Sequence, residues 1–424
     1  MNLEQTQAVI NRGETLRNKL SAQLQKQSKQ QLRRVLTPQK GNCTRAYNFS
    51  SNDYLGLSQH PKVIAAYQRG LSEWGAGAGA SPLVTGYTTA HHELSEALSE
   101  WFGVERVLLF NSGFSANQGV LQVLTKAGVT AVIDKLCHAS IYDGLGHGFG
   151  ERIQRFRHND YEDLQNRIEN LPGSNCPLIV SEGVFSMDGD RPDIFALSAN
   201  KGRGLLMLDD AHGIGLASPQ ASANELASGI TSKGLARGEC GKDNRGVFAH
   251  PSAHEIDIVT GTFGKAFGIA GAFVATDHQI ADSILQNARH LIYSTAFAPA
   301  QAIAIHASLD ILQENNHLQT ELQNRIAYFQ SLAAKLKLRL MPSNTPIQPL
   351  LVGDNALAMR LAQLLRAEGF QCIAIRPPTV PKGTARIRFT LSLNQSQEAL
   401  EYLFIALDRI LNADQELADA CQLR

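Results

Sequence analysis

Short apolar runs alternate with helical patterns along most of the chain. The runs are RVLLF (106–110), TAVID (130–134), RIQRFRH (152–158), PLIVSEG (177–183), GLLMLDDAHG (204–213), EIDIVTGTFGK (255–265) and GAFVATD (271–277). Continuous apolar strands separated by helices are typical of a parallel sheet that is buried on both faces. The pattern therefore predicts an α/β fold with a mainly parallel, doubly wound central sheet. Ligands of such sheets bind at the carboxyl ends of the strands, where several polar residues of this chain fall.

The segment before this pattern is polar and rich in Gln, Lys and Arg. Leu16, Leu20 and Leu24 follow a helical spacing within residues 3–36, which predicts an amphipathic helix lying on the body of the protein. A solvated arm is the alternative interpretation. In either case we expect residues 1–45 to form an N-terminal helical arm.

Two further changes of pattern predict the domain organisation. Residues 217–250 are rich in Gly, Ser and Ala and separate two predicted strands. A loop of this length is either functional or mobile, and we interpret it as a mobile insertion in a large domain that covers residues 46–295. The chain ends with elements in the order β-α-β-β-α, which predicts a smaller α+β domain over residues 296–424.

Composition and charge argue against several classes of protein. The chain has 424 residues, of which 43% are hydrophobic, so it can form a large core. Lys plus Arg and Asp plus Glu number 39 each, so no overall basic charge favours a nucleic-acid partner. The cysteines form no CxxC pair, and no apolar run approaches the ~18 residues of a membrane-spanning helix. We expect a cytoplasmic protein that binds neither a membrane nor a nucleic acid.

One lysine lies among glycines, aromatics and small apolar residues in GTFGKAFGIAGAFV (261–274). The phosphate-binding pattern GxxxxGK[ST] does not fit, because Val259 replaces its first glycine and Ala266 replaces its hydroxyl residue. A desolvated lysine favours its neutral form, and a neutral amine forms a Schiff base with a carbonyl. Lys265 therefore indicates a carbonyl cofactor, of which pyridoxal 5'-phosphate (PLP) is the common example.

A PLP site needs an acid that faces the ring nitrogen, and DDAHG (209–213) supplies carboxylates at the end of an apolar run. An anion at that place favours the charged ring, which then withdraws electrons from a carbanion. Local sequence leaves two alternatives open. Asp209 and Asp210 could cap a loop, or they could bind a metal with His212, although no further ligand cluster is evident.

Three other stretches offer candidates of the same kind. NSGFSANQG (111–119) opens a predicted helix whose backbone N–H groups could bind an anion, with an ordinary helix cap as the alternative. His138 follows a strand and could lie on a flat ring, or it could be a polar loop histidine. Arg376 precedes two prolines and could bind a carboxylate, or it could be a surface arginine beside a turn. Their joint placement at strand ends is a stronger signal than any one of them.

Together these motifs resemble the α-oxoamine synthases, a PLP family with the aspartate aminotransferase fold (PLP fold type I). The resemblance begins at FSSNDYLGLSQHP (49–61) and extends nearly to the C-terminus. It includes the stretches SGFSANQ, HAS, EGVFSMDGD, DDAHGIG, TFGKAFG, RHLIYST and AIRPPTVPKGTARIR. The last stretch is most similar to the branch of the family that serves biotin biosynthesis.

The resemblance implies a role for each residue around the cofactor ring. Lys265 would bind the cofactor covalently and later act as a base. Asp209 would pair with the pyridine nitrogen, and His138 would stack on the ring. His212 and Ser186 would lie near the phenolic oxygen of the ring. No metal is implied.

The resemblance also implies how the phosphate is bound. Thr262 would bind it with its side chain, and Gly113 and Phe114 would bind it with backbone N–H groups. Thr295 would reach the phosphate from a neighbouring subunit, since the family's active sites lie at the interface of a homodimer.

For the substrates, the resemblance implies a decarboxylative condensation of L-alanine with a pimeloyl thioester, carried by acyl carrier protein or by CoA. Asn52 and Arg376 would bind the carboxylate of alanine. Arg33 matches an arginine near the acyl substrate only loosely. One alternative is a related enzyme that joins glycine to an acyl-CoA, and another is an inactive binding protein on the same fold.

Overall fold

The computed structural model of the chain describes residues 3–30, 32–34, 36, 38, 47–146, 153–172, 176–216, 244–314 and 316–423. The chain divides into two compact units, residues 1–44 and residues 45–424. The first unit contains helix α1, Leu3–Lys29, which falls within the predicted helical stretch. Its packing on the body stays a prediction. No described helix is long and apolar enough to cross a membrane.

Within the second unit, seven strands of the described residues form the central sheet. They are β1 Arg106–Phe110, β2 Val129–Asp134, β3 Ile153–Phe156, β4 Cys176–Glu182, β5 Leu205–Asp209, β6 Ile258–Thr262 and β7 Ala272–Thr276. Their order is β1-β7-β6-β5-β4-β2-β3. Strand β7 runs antiparallel to both neighbours, and the pairs among the other strands are parallel. Every predicted run overlaps one of these strands, so the mainly parallel sheet is confirmed.

Helices connect and cover these strands. They are α2 Pro61–Trp74, α3 Thr89–Phe102, α4 Gly113–Lys126, α5 Ala139–Leu145, α6 Tyr161–Glu169, α7 Ile194–Lys201, α8 His278–Asn287, α9 Arg289–Ile292, α10 Pro299–Glu314 and α11 His317–Lys335. Short polar side chains cap several of them, which satisfies backbone N–H groups that have no intrahelical acceptor. Ser112 accepts a hydrogen bond from the Ser115 amide at α4, and Asp160 accepts one from the Asp163 amide at α6.

The sheet is apolar on both faces because alternate residues of each strand enter different parts of the core. In β4, Leu178 and Val180 join the cluster that contains α4 and α5, whereas Ile179 joins the cluster on the other face. All three side chains are fully buried. Burial of one such side chain stabilises the fold by roughly 1.5–3 kcal/mol. This two-sided burial is the reason that the strands are uninterrupted apolar runs in the sequence.

The C-terminal part forms a second, smaller sheet. Its elements are β8 Ile347–Gly353, α12 Asn355–Ala367, β9 Ile373–Ile375, β10 Ala385–Thr390, α13 Gln397–Ala413 and α14 Gln415–Cys421. The strands are antiparallel in the order β8-β10-β9, and the element order matches the predicted β-α-β-β-α. Helix α10, which precedes this part, packs on α2 and α3. The proposed domain boundary at residue 296 stays a prediction.

The predicted insertion is only partly within the described residues. Residues 217–243 lie outside them, so our interpretation of this part as mobile stays a prediction. Residues 244–250 are described and are packed on the body. The Asn244 side chain donates a hydrogen bond to the Leu312 carbonyl, and the Phe248 ring stacks on Phe102 with centroids 4.2 Å apart. The inserted segment is therefore ordered where it returns to the sheet.

Two glycines with positive φ allow a test of how closely the Lys265 loop packs. Gly268 has φ 75°, and a Cβ there would lie 2.2 Å from the Ser58 nitrogen. Gly103, with φ 70°, has nothing within 4 Å of such a Cβ. We expect Gly103→Ala to cost about 1–2 kcal/mol through backbone strain alone. We expect Gly268→Ala to cost more, because backbone atoms of Ser58 must also move. Thermal unfolding of both variants measures this, and equal losses would contradict the close approach.

Candidate active site

Three parallel strands bring the catalytic candidates to one edge of the central sheet. In the ladder β4-β5-β6, Glu182 is paired with Asp209, and Asp209 is paired with Thr260. Each of these residues lies at or near the carboxyl end of its strand. The Lys265 loop follows directly after β6, so its amine comes to the same edge. This is where ligands of doubly wound sheets bind.

The amine of Lys265 is desolvated by its own loop and by the strand ends. Hydrogen bonds from the Gly268 amide to the Lys265 carbonyl, and from the Phe263 amide to the Gly271 carbonyl, hold the loop against the sheet. Burial lowers the pKa of Lys265 to about 8, against the opposing attraction of Asp209 and Glu182. An appreciable fraction of the amine is therefore neutral near pH 7, as a nucleophile or a base requires.

Asp209 is buried at the end of β5 and is fixed by two donors. The Asn117 Nδ2 donates to its Oδ2 at 2.7 Å, and the Ala211 amide donates to its Oδ1 at 3.0 Å. These two donors hold the carboxyl group in one orientation at the end of the strand. The side chain can thus face a cationic ring nitrogen, which is the role that the sequence predicts for it.

Two more buried carboxyl groups surround this position. Burial raises the pKa of Glu182 well above its ordinary value, and the nearby charge of Asp209 raises it further. Burial also raises the pKa of Asp210 to about 7, although the Val247 amide donates to it at 2.9 Å. Both groups are biased toward their neutral forms. The sequence analysis did not predict Glu182 as a site residue. Its position beside Asp209 follows from the pairing of β4 with β5.

His138 caps helix α5 and lies at the same edge. Its Nδ1 is 2.8 Å from the Ser140 hydroxyl, and the Phe114 ring meets the imidazole edge-on with centroids 6.2 Å apart. The pKa of His138 is below its ordinary value because desolvation outweighs the attraction of Asp209. A neutral imidazole beside Asp209 and Lys265 is suited to covering a flat ring.

The start of helix α4 lies beside the end of β6, an arrangement that is suited to an anion. The first N–H groups of a helix, here those of Gly113 and Phe114, have no intrahelical acceptor and attract anions. A Cβ added to Gly113 would lie 3.7 Å from the Thr262 Cβ, so these residues are neighbours. The Asn111 side chain donates to the Thr295 carbonyl at 2.8 Å. The backbone of Thr295 therefore lies next to this site within the same chain.

His212 lies beside Tyr54, and Ser186 lies beside Glu182, whose Oε2 accepts a hydrogen bond from the Ser186 amide at 3.2 Å. The Tyr54 hydroxyl lies 2.5 Å from the His212 Nδ1, and burial raises the pKa of Tyr54 to about 12. The pKa of His212 is well below its ordinary value because of burial, with further repulsion from Lys265 and Arg388. We conclude that this pair is uncharged and that Tyr54 donates to His212.

Arg388 on β10 is a site residue that the sequence reasoning missed. It is almost fully buried, and both of its terminal nitrogens lie 3.3 Å from the Asn52 Oδ1. Its Nε donates to the Ser186 carbonyl at 2.6 Å. Within the described residues, its hydrogen bonds go to neutral oxygens of Ser186, Asn52 and Thr390. A buried guanidinium without a carboxylate partner is costly unless an anion joins it, so this position suits a substrate carboxylate.

Asn52, one of the predicted substrate residues, is bound by an arginine of the smaller sheet. Both hydrogen bonds that the Asn52 Oδ1 accepts from this arginine come from the terminal nitrogens of Arg388. Arg33 belongs to the first compact unit, where it is exposed. The roles of Arg376 and Arg33 therefore stay predictions.

Comparison with known proteins places this arrangement in a class. The aminotransferase class I and II family matches residues 44–404, and the chain belongs to this family. The curated relatives are more specific. The 8-amino-7-oxononanoate synthase of Yersinia pseudotuberculosis serotype O:1b (strain IP 31758) is 45% identical over 362 residues, covering 85% of this chain and 88% of that protein. Within the aminotransferase class, the chain is thus a member of the 8-amino-7-oxononanoate synthase family.

Solved structures agree with this placement. A serine palmitoyltransferase from Sphingomonas wittichii has a TM-score of 0.76 and 28% identity, covering 86% of this chain and 87% of that chain. A structure of SPT with a PLP internal aldimine has a TM-score of 0.78 and 25% identity, covering 93% of this chain and 97% of that chain. These findings confirm the predicted family resemblance and the PLP type I fold class.

The residues present fit pyridoxal phosphate. An amine with a lowered pKa, a carboxylate and an imidazole meet at one edge, and an anion site lies beside them at the start of α4. Each of the four corresponds to one part of the cofactor, namely the aldehyde, the ring nitrogen, the ring face and the phosphate.

The balance of charges on Lys265 predicts how the amine titrates. In cofactor-free protein, an amine-reactive reagent should label Lys265 with a half-maximal rate near pH 8. Asp209→Asn removes an anion that favours the ammonium form, so it should move this midpoint to lower pH. Mass spectrometry of the peptide containing Lys265 measures the labelling.

The matched control is Asp354→Asn, which changes a helix cap and removes no charge that acts on Lys265. It should leave the midpoint in place. A wild-type midpoint near the ordinary lysine value of about 10.4, or an upward shift in Asp209→Asn, would contradict the proposed environment.

Proposed function

We propose that this protein catalyses the PLP-dependent, decarboxylative condensation of L-alanine with a pimeloyl thioester, a step of biotin biosynthesis. The products are 8-amino-7-oxononanoate, carbon dioxide and the free carrier thiol. The observation that carries this proposal is the meeting of Lys265, Asp209 and His138 at the carboxyl edge of the sheet, in a chain of this family.

The cofactor is held by residues that come from separate elements. Lys265 would hold it through the side-chain amine, and the start of α4 together with Thr262 would hold the phosphate. Asp209 would pair with the ring nitrogen, and His138 would cover one face of the ring. When bound, pyridoxal phosphate supplies an aldehyde that captures amines and a ring that withdraws electrons from the substrate Cα.

Arg388 and Asn52 orient the amino acid. A guanidinium and a carboxylate form charge-assisted hydrogen bonds in a defined geometry. Arg388 is buried and is otherwise bound to neutral oxygens. The alanine carboxylate would therefore neutralise the positive charge of its guanidinium. The Asn52 amide contacts the same guanidinium and can donate to the second carboxylate oxygen. This contact fixes which bond of the Cα faces Lys265.

Lys265 moves the proton. With alanine bound at the site, the Lys265 amine would accept the proton from the alanine Cα. Its pKa of about 8 suits this role near neutral pH, because general bases are most efficient when their pKa is close to the working pH. The Cα would then attack the thioester carbonyl, and the carrier would leave as a thiolate that takes a proton from solvent. Lys265 returns a proton to the Cα after carbon dioxide has left.

We further propose that the active protein is a homodimer. Val84 and Tyr293 are exposed apolar side chains, 73% and 69% accessible. They lie on segments that are joined by a hydrogen bond from the Ala296 amide to the Ala80 carbonyl. This apolar surface adjoins Thr295 and the anion site. A second copy of the chain would cover it and would bring its own Thr295 close to the neighbouring site.

The direct test is a substrate comparison with purified, PLP-loaded protein. We expect faster turnover of L-alanine with a pimeloyl thioester than of glycine with an acetyl or succinyl thioester, followed by release of carbon dioxide and free thiol. Lys265→Ala should abolish turnover, because both the attachment amine and the base are lost. Borohydride reduction should fix the cofactor to the Lys265 peptide in the wild type only.

Other outcomes would replace this proposal. Faster turnover of glycine would indicate the related acyl-CoA condensation. Cofactor bound at Lys265 without turnover of either pair would indicate an inactive binding protein. A cofactor label on another lysine would overturn the site itself.

The contacts of Arg388 and the family resemblance favour different arginines as the partner of the alanine carboxylate, and a pair of variants separates the two proposals. Arg388→Gln should raise the KM for alanine about tenfold to a hundredfold, since hydrogen bonds to charged groups are worth about 1.5–3 kcal/mol. Arg376→Gln should change this KM much less. Steady-state kinetics at saturating pimeloyl thioester measures both. The reverse ranking would restore Arg376 as the carboxylate residue.

A further inference from the structure

One buried amide joins the two groups that face the cofactor ring. Asn117 lies on the inner side of helix α4 with 1% of its surface exposed. Its Nδ2 donates to the Asp209 Oδ2 at 2.7 Å and to the Ser140 Oγ at 2.9 Å. Its Oδ1 accepts from the Thr260 hydroxyl at 2.7 Å. The side chain thus connects α4, β5, β6 and the start of α5.

The partners determine which way the amide points. An amide side chain has two donor hydrogens and one acceptor oxygen. The Asp209 carboxylate can only accept, so the nitrogen of Asn117 must face it. The oxygen then faces the Thr260 hydroxyl, which donates. Both donor hydrogens are used, one for Asp209 and one for Ser140, so no other orientation satisfies this buried group.

Ser140 connects Asn117 to His138. Because Ser140 Oγ accepts from Asn117, its own hydrogen is available to the His138 Nδ1, which lies 2.8 Å away. The Ser140 backbone amide also donates to this nitrogen at 3.3 Å. Nδ1 is therefore an acceptor, and the neutral imidazole carries its hydrogen on Nε2. The direction of the whole network begins at Asn117.

We propose that Asn117 is a positioning residue that fixes the Asp209 carboxylate and, through Ser140, the tautomer of His138. The role of these two groups in catalysis rests on the proposed function, whereas the network itself does not. Without Asn117, the Asp209 carboxylate loses its side-chain donor and the Ser140 hydroxyl can turn. The partner of the ring nitrogen and the residue that covers the ring face would then both lose their fixed hydrogen-bonding orientation.

The network can be interrupted at two places. Asn117→Leu replaces the amide with an apolar side chain of similar size, so it removes the hydrogen bond to Asp209 and the hydrogen bond to Ser140. Ser140→Ala removes only the hydroxyl that connects Asn117 to the His138 Nδ1. Thr125→Val is the matched control, because Thr125 is a fully buried hydroxyl on the same helix α4 that bonds to the Leu121 carbonyl instead.

Two measurements distinguish positioning from general damage. NMR of nitrogen-15-labelled histidine in cofactor-free protein reports the tautomer of His138. We expect one tautomer, with hydrogen on Nε2, in wild type and Thr125→Val. In Asn117→Leu and Ser140→Ala we expect a larger fraction with hydrogen on Nδ1, because only the Ser140 backbone amide, at 3.3 Å, still directs that nitrogen to accept. Fluorescence titration reports the dissociation constant for pyridoxal phosphate. We expect it to rise at least about tenfold in Asn117→Leu, with a smaller rise in Ser140→Ala.

The outcomes are decisive in either direction. An unchanged tautomer in both network variants, or a dissociation constant in Asn117→Leu equal to that of Thr125→Val, would overturn the proposal. If Asn117→Leu does not fold, the tautomer in Ser140→Ala still decides the connection to His138. Failure of the proposed function would show differently, as an absence of condensation activity in a wild type whose histidine tautomer is still defined.

Discussion

Burial of the Lys265 amine is the constraint on which the rest of the site depends. A charged amine in a small-residue loop is costly, so burial lowers its pKa until the neutral form is accessible. The attraction of Asp209 and Glu182 limits this shift and leaves the pKa at about 8.

The parallel sheet is what allows these opposing effects to act on one atom. Glu182, Asp209 and Thr260 are far apart along the chain, but they are paired across β4, β5 and β6. Their strands are apolar on both faces, so a polar side chain is tolerated only where the strand ends. The hydrophobic core and the catalytic edge therefore follow from the same pattern. The core fixes the register, and the register fixes which polar residues meet.

This pattern also explains what the sequence could and could not predict. Lys265, Asp209 and His138 lie at or just after the ends of apolar runs. Their common location at one edge of the sheet could therefore be predicted from the strand positions alone. Asn117 and Arg388 lie inside a helix and a strand, where a polar residue gives no local signal. Their importance comes from partners 92 and 336 positions away along the chain. Arg376 was more conspicuous, because the two prolines after it drew attention to a local feature.

The two arginines of β10 show how the smaller sheet takes part in the chemistry. Arg386 and Arg388 are two residues apart, so their side chains lie on the same face of the strand. Arg386 forms a buried ion pair with Asp188, which anchors this face to the segment after β4. Arg388 then extends to Asn52 and Ser186 with its charge unpaired by any described carboxylate. One arginine thus fixes the small sheet against the large one, and the other presents a positive charge to the site. Binding of an anionic substrate would complete the charge balance that this arrangement leaves open.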